Sequence, residues 1–472
     1  MLGIILLSVL GFVLVMLTVI TYYLHSVAKA YETDDEAGLN VDKKKTEISS
    51  SQNFVYTAMI LVSVAMVGAL YMYVKGTPWE GHLMEWLNIV IRLMHITFGI
   101  AWIGASFYFV FLENALNRTK DVRDELAGNL WAIHGGGFYY LEKYKVAPKT
   151  IPKHLHWFKY EAYFTWLSGF CLLFVVYYFN ASALLIDKNV LDISPLYGIG
   201  IGVGSFAVAW IIYDLLCKSP LIKNKVLFTL VGFAILVGFA YFYSHVFSGR
   251  AAYIHFGAMI GSIMVANVFF VIIPAQKAMV KAAREGVPVN PQLGKNALNR
   301  SLHNNYFTLP VLFVMISNHF PTTFGYENPW LVLIIISLGT AGVKHYLNLR
   351  EKGQLSVWVM PVSVVILLAG AFISAPPKDP GACNSKIEFS EVNAIIQARC
   401  ISCHSSKPTD DVYKVPPNGV MYDTPDDIVR KKELIMQRVV ITKTMPQNNK
   451  TNITDKERDI LRCWIEQGAA VK

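Results

Sequence analysis

The chain has 472 residues, of which 54% are hydrophobic and only 16% charged, with a mean hydropathy of +0.40. Those figures exclude a soluble globular, collagenous, disordered or disulfide-scaffold protein and mark an integral membrane protein. The formal charge of +9 is not the footprint of a nucleic-acid partner, because the basic residues sit between apolar segments and not along one face; the expected surroundings are membrane lipid.

A helix needs about 20 apolar residues to cross the hydrocarbon core. In chain order the candidates are 3–24, 54–74, 85–113, 161–179, 196–217, 226–247, 252–273, 305–318, 330–347 and 357–375. The eighth is short and reads either as an abbreviated span or as a re-entrant segment. The connections 25–53, 114–160, 218–225, 274–304 and 344–356 hold 23 Lys and Arg, whereas 75–84, 180–195, 248–251 and 319–329 hold three. The positive-inside rule therefore puts the first set in the cytoplasm and both termini outside. The first segment lacks a basic start and its apolar run is too long for a signal peptide, despite Ala28-Lys29-Ala30 just beyond it, so it reads as a span. The predicted fold class is all-α, a polytopic helical membrane domain of about ten spans, N-out/C-out. Residues 1–84 form a two-span extension with a polar cytoplasmic linker, 85–375 an eight-span membrane domain, 376–388 a Pro-rich tether, and 389–472 a small domain outside the cytoplasm.

Ionisable side chains at membrane depth are functional candidates. His95 lies inside the third span, one turn beyond Arg92 and ahead of Gly104. One reading makes it an axial ligand to a b-type haem (haem b), with Arg92 on a propionate, Gly104 allowing close packing and His255 of the seventh span as partner ligand. The other is a histidine hydrogen-bonded to a neighbouring helix beside a snorkelling arginine. Towards the inner side lie the glycine loop Trp131-Ala132-Ile133-His134-Gly135-Gly136-Gly137 and the polar cluster Ser301-Leu302-His303-Asn304-Asn305-Tyr306. Both suit a small planar anion, and both have ordinary uses as loop punctuation and capping.

The polar C-terminal region carries Cys400-Ile401-Ser402-Cys403-His404. Two thiols at this spacing reach the vinyl groups of a covalently bound haem c, and the adjacent imidazole becomes an axial ligand to its iron. A zinc site would need a second Cys or His pair nearby, and the domain has none; a redox dithiol is the remaining alternative. A thioether completes the iron: Met445, before Pro446 in a loop, is preferred to Met421, while Met436 sits on a helical run from Asp426 to Val440. Helices are expected over 389–399, with Ser390 as N-cap, and from Thr454, with Ile460, Leu461, Trp464 and Ile465 on one face. Two such helices crossing beside a haem are the class I-like cytochrome c architecture. Cys383 and Cys463 read as a disulfide joining the ends of the domain or as two buried thiols, and Cys171 and Cys217 as packing residues.

The segments Arg92–Phe107, Trp131–Gly137, Lys153–Lys159 and His303–Phe313, followed by the Cys-x-x-Cys-His domain, resemble the membrane-bound, cytochrome-c-linked bacterial urate hydroxylases over about residues 85–472. The resemblance implies eight membrane helices, a C-terminal cytochrome c domain in the periplasm, and oxidation of urate to 5-hydroxyisourate. Electrons would leave through the cytochrome to a downstream cytochrome c or terminal oxidase in the inner membrane, not directly to oxygen. The first two spans are an addition to that pattern. The family supplies no catalytic map beyond Cys400, Cys403, His404 and Met445. For the substrate, His134, His303, Asn304 and Asn305 are the inner-face candidates, with Arg92 and His95 on an outward electron path. Asn318, His319 and His245 outline an outer-face alternative, which avoids a hydrocarbon core of ~30 Å between substrate and haem. A cytochrome-linked dehydrogenase for another substrate and an electron-transfer anchor are the competing functions.

Overall fold

Backbone polar groups inside a bilayer must be satisfied within their own segment, which selects helices. The computed structural model describes residues 66, 68–70, 72–119, 121–152, 155–375, 381–383 and 385–471. The span at 3–24, most of that at 54–74, the motif residues Lys153 and His154, and the tether residues 376–380 lie outside the described residues. The chain divides into two units, Met1–Trp86 with Ile151–Trp157 and Leu87–Thr150 with Phe158–Lys472. In the first, Trp79, His82 and Trp86 make edge-on ring contacts at 5.9 and 6.4 Å. All candidate site residues lie in the second.

The bundle helices are α1 (Pro78–Ala115), α2 (Tyr160–Tyr178), α3 (Pro195–Lys218), α4 (Lys225–Ser244), α5 (Gly249–Arg284), α6 (Pro291–Ile316), α7 (Pro329–Glu351) and α8 (Val359–Ile373). Six of them, α1 to α5 and α7, are long and apolar enough to cross a membrane, consistent with a multi-pass membrane protein. They coincide with six of the expected spans. The doubtful eighth segment is the second half of α6, a continuous helix of 26 residues. At 1.5 Å per residue it is ~39 Å long. Its start is set by the Asn290 side chain accepting from Gln292 N at 2.9 Å and by Pro291 at the first helical position. The tenth segment, α8, has 15 residues, ~22 Å of helix. It packs on α7 where a Cβ at Gly339 would lie 2.7 Å from Leu367 and Gly342 faces Ser363. The central helix is α5, whose Tyr253, His255, Phe256, Met259 and Ile260 are shut off from solvent.

One part is not helical. Where the connection 114–160 was read as a loop, Leu126–His134 (β1) and Gly137–Tyr144 (β2) form an antiparallel hairpin. Gly135 and Gly136 make its two-residue turn at φ +57° and +79°, a backbone that glycine adopts without Cβ strain. The Trp131 and Tyr140 rings meet at a tilt, 4.8 Å between centroids, while Trp131, Ile133 and Phe138 remain exposed.

The C-terminal domain contains α9 (Phe389–Arg399), α10 (Pro425–Arg430), α11 (Lys432–Ile435, continued as Met436–Ile441) and α12 (Asp455–Glu466). Thr454 caps α12 in a reciprocal capping box with Glu457, as expected. Glu388, not Ser390, precedes α9, and no side chain caps that helix. The two outer helices meet through Phe389 and Trp464, 5.9 Å between rings, and through Arg399 and Glu457 at 3.0 Å. Cys383 and Cys463 form a disulfide, with Cα atoms 5.4 Å apart. The domain sits on the bundle end where α2 finishes and α3 begins. Asn448 Nδ2 donates to the carbonyls of Ala183 and Ile186, both at 2.7 Å, and Gln447 Nε2 to Ala183 at 2.8 Å. A Cβ at Gly325 would lie 2.6 Å from the Thr442 carbonyl.

Candidate functional site

The turn after α9 is closed by the amides of Cys403 and His404, which donate to the Cys400 carbonyl at 3.2 and 2.9 Å. It holds the Cys400 thiol inside the domain and the Cys403 thiol half-buried, neither in a disulfide. His404 Nδ1 lies 3.0 Å from the Val420 carbonyl. That partner assigns the proton to Nδ1 and leaves Nε2 with its lone pair. Burial holds the His404 imidazole below its ordinary pKa, the Val420 carbonyl pulling the other way, so the neutral, ligating form prevails at neutral pH. Met445 packs against the domain core, its amide donating to the Arg438 carbonyl at 3.0 Å and its carbonyl accepting from Arg458 at 2.9 Å. Two free thiols, an imidazole with an open Nε2 and a thioether are the donor set that a covalent haem needs.

The expected b-haem ligands do not pair. His255 is fully buried, with Nδ1 at 2.8 Å from the Ala251 carbonyl and Nε2 at 3.0 Å from the Tyr178 hydroxyl. Both ring nitrogens are engaged and the rings of Tyr177, Tyr178, Phe206 and Phe247 surround it, so it does not fit an axial ligand. His95 faces α2, its Nδ1 3.0 Å from the Thr165 carbonyl, where a Cβ at Gly169 would lie 2.8 Å from the imidazole. Gly169 is thus the close approach that was assigned to Gly104, beside which a Cβ would meet only open space. Arg92 bonds Asn88 of its own helix, at 3.0 Å.

The inner-face candidates separate. His134 ends β1 with its side chain exposed, and the glycine run forms the hairpin turn that follows it. His303 and Asn304 join a network that sequence reasoning missed. Arg300 pairs with Asp214 at 2.6 Å and donates to Asn267 at 3.2 Å. Asn267 donates to Asn304 at 2.8 Å, and His303 Nδ1 lies 2.8 Å from the Tyr213 hydroxyl. Asn305 is fully buried beside them, accepting from Asn348 at 3.1 Å. Asp214 and Asn267 are polar residues in apolar helices, the signal that could have found them, whereas Arg300 lies in the polar first half of α6. The network's charges and amides largely satisfy one another, so it holds α3, α5 and α6 together.

At the opposite end, Asn318 Oδ1 accepts from Arg250 Nε at 2.9 Å and from the Tyr177 hydroxyl at 3.3 Å. His319 is exposed, and His245 stacks on Tyr241 at 3.9 Å, so neither joins Asn318. Arg250 is the sole basic residue of its connection, a signal the charge count used only for topology.

Residues 81–375 match the family described as urate oxidase N-terminal. No curated protein and no solved structure matches the chain.

Proposed function

The chain belongs to the urate oxidase N-terminal family, and from that premise we propose a membrane-bound oxidoreductase that converts urate to 5-hydroxyisourate and sends the electrons through its own C-terminal domain. The reaction balances as urate plus water giving 5-hydroxyisourate, two protons and two electrons, with a new C–O bond from water. Cys400 and Cys403 would hold haem c through thioethers, and His404 Nε2 and Met445 would supply the donors to its iron. When bound, the group would supply a one-electron acceptor between urate and a downstream cytochrome c or terminal oxidase.

The observation that carries this reading is the seating of the Met445 loop. Gln447 and Asn448, two and three positions after Met445, are bonded to the bundle carbonyls, so the side of the domain that carries this candidate ligand is the docked side. A family match to the bundle alone would leave the domain an appendage. The docking joins the two at the place where electrons would pass. The 23-to-3 partition of basic residues supports placing this end on the periplasmic side of a bacterial inner membrane, about ten spans in all.

The test is anaerobic visible spectroscopy of the purified full-length protein, with urate added before dithionite. Urate should reduce a c-type haem, counted at one per chain by its pyridine haemochrome. A spectrum that dithionite reduces but urate leaves unchanged would remove urate as the substrate.

A further inference from the structure

Resting on the urate reading, we propose that the substrate anion binds at the docked end of the bundle, among Arg92 of α1, Arg250 of α5 and Arg438 of the C-terminal domain. Several arginines elsewhere face acids. Arg300 has Asp214, Arg399 has Glu457, and Arg462 has both Asp459 and Glu466. These three do not. Among the described residues none has a carboxylate partner, although Arg250 lies within electrostatic reach of both others. Three like charges brought together from separate elements repel one another, and an anion between them relieves the repulsion.

The cluster is built and not incidental. Arg250 Nε is fixed by Asn318 Oδ1, which also holds the Tyr177 hydroxyl. Tyr177 in turn lies within electrostatic reach of Arg92. From the docked side, Arg438 is half-buried, and burial followed by the Arg250 charge holds its guanidinium below the usual pKa. Guanidinium forks suit a planar anion with adjacent oxygen and nitrogen acceptors, which is the form of urate at neutral pH.

Position separates this site from the inner network. The Arg438 carbonyl accepts the Met445 amide at 3.0 Å, so an anion held by Arg438 lies beside the sixth-ligand candidate of the haem. From the inner face, an electron has a hydrocarbon core of ~30 Å to cross. The same guanidinium chemistry would also accept a haem propionate, and the two sources give different outcomes.

The experiment is equilibrium dialysis of labelled urate against full-length protein in detergent, reduced with dithionite so that no turnover occurs, paired with the haem midpoint potential. Arg250→Gln and Arg438→Gln should each weaken urate binding at least tenfold, Arg250→Lys, which keeps the charge but not the fork, should retain only part of it, and the potential should stay as in the parent. An unchanged Soret spectrum certifies the C-terminal domain of each variant, and a parent-like thermal midpoint and elution volume in detergent certify its bundle. Parent-like urate binding in both Gln variants overturns the site, as does loss of binding in Asn304→Ala, which would put urate at the inner face. A shifted potential with unchanged urate affinity assigns the arginines to haem propionates and also overturns it. If the parent protein is reduced by urate while the Gln variants bind normally, only the site falls; if the parent neither binds urate nor is reduced by it, the substrate reading falls first.

Discussion

Two methionines compete for the place opposite His404, and their surroundings separate them. Met421 is 37% exposed, whereas Met445 packs on the core with both its amide and its carbonyl bonded, to Arg438 and Arg458. A ligand whose backbone is fixed and whose side chain already packs on the core has less freedom left to lose on coordination. Met445→Ala should therefore open the reduced iron to carbon monoxide, seen as a shifted Soret band, while Met421→Ala stays closed as in the parent. The opposite pattern would transfer the ligand to Met421. His255 shows the limit of such reasoning from sequence. Its depth in an apolar helix marked it as a ligand, and the depth was right. What could not be read was Tyr178, 77 positions earlier, closing off Nε2.

Within the C-terminal domain, the loop after the Cys-x-x-Cys-His turn is pinned by Asp410. Its carboxylate is buried, 2.6 Å from Lys450 Nζ, and accepts the amides of Val412 and Tyr413 at 2.8 and 3.0 Å. Burial pushes the Asp410 carboxyl up, but Lys450 and the two amides outweigh it and hold it at about 2. A carboxyl whose folded pKa lies below its unfolded value stabilises the fold above about pH 4, and that contribution is lost as the pH falls from there towards 2. Asp410→Asn should thus lower the thermal midpoint of the domain, followed by Soret circular dichroism of the full chain, at pH 5 to 7. The gap between variant and parent should shrink as the pH falls below about 4 and close only below about pH 2; a constant gap would mean that charge at Asp410 is not the cause. At this scale much was legible in sequence. Capping at Thr454, the apolar face of α12 and six of the spans followed from residue type and period. The hairpin was missed because Trp131-Ala132-Ile133 and Phe138-Tyr139-Tyr140 alternate only weakly around a glycine run that also reads as a loop. The start of α6 was missed because its first half is polar, although Asn290-Pro291 carries the helix-start signature.

At the scale of the whole molecule, the proposed electron transfer depends on the domain staying on the bundle, and no periodic pattern announces that contact. It is made by amide side chains reaching backbone carbonyls, with Asn448 and Asn449 at φ +51°, a left-handed backbone that asparagine tolerates. Each such bond contributes a net ~0.5–1.5 kcal/mol, so the three from Gln447 and Asn448 fix an orientation more than they supply affinity. The chain connection from α8 keeps the domain at a high effective concentration even when they are lost. Replacing both Gln447 and Asn448 by alanine should therefore leave the domain attached and folded, with its reduced spectrum and its direct reduction by dithionite as in the parent. What should fall, by about tenfold for each ~1.4 kcal/mol of docking lost, is the rate at which urate reduces the haem in anaerobic stopped flow. A rate unchanged in the double variant would mean that electrons reach the domain without this docking. A dithionite rate that falls in parallel would place the damage at the haem itself and not at the interface.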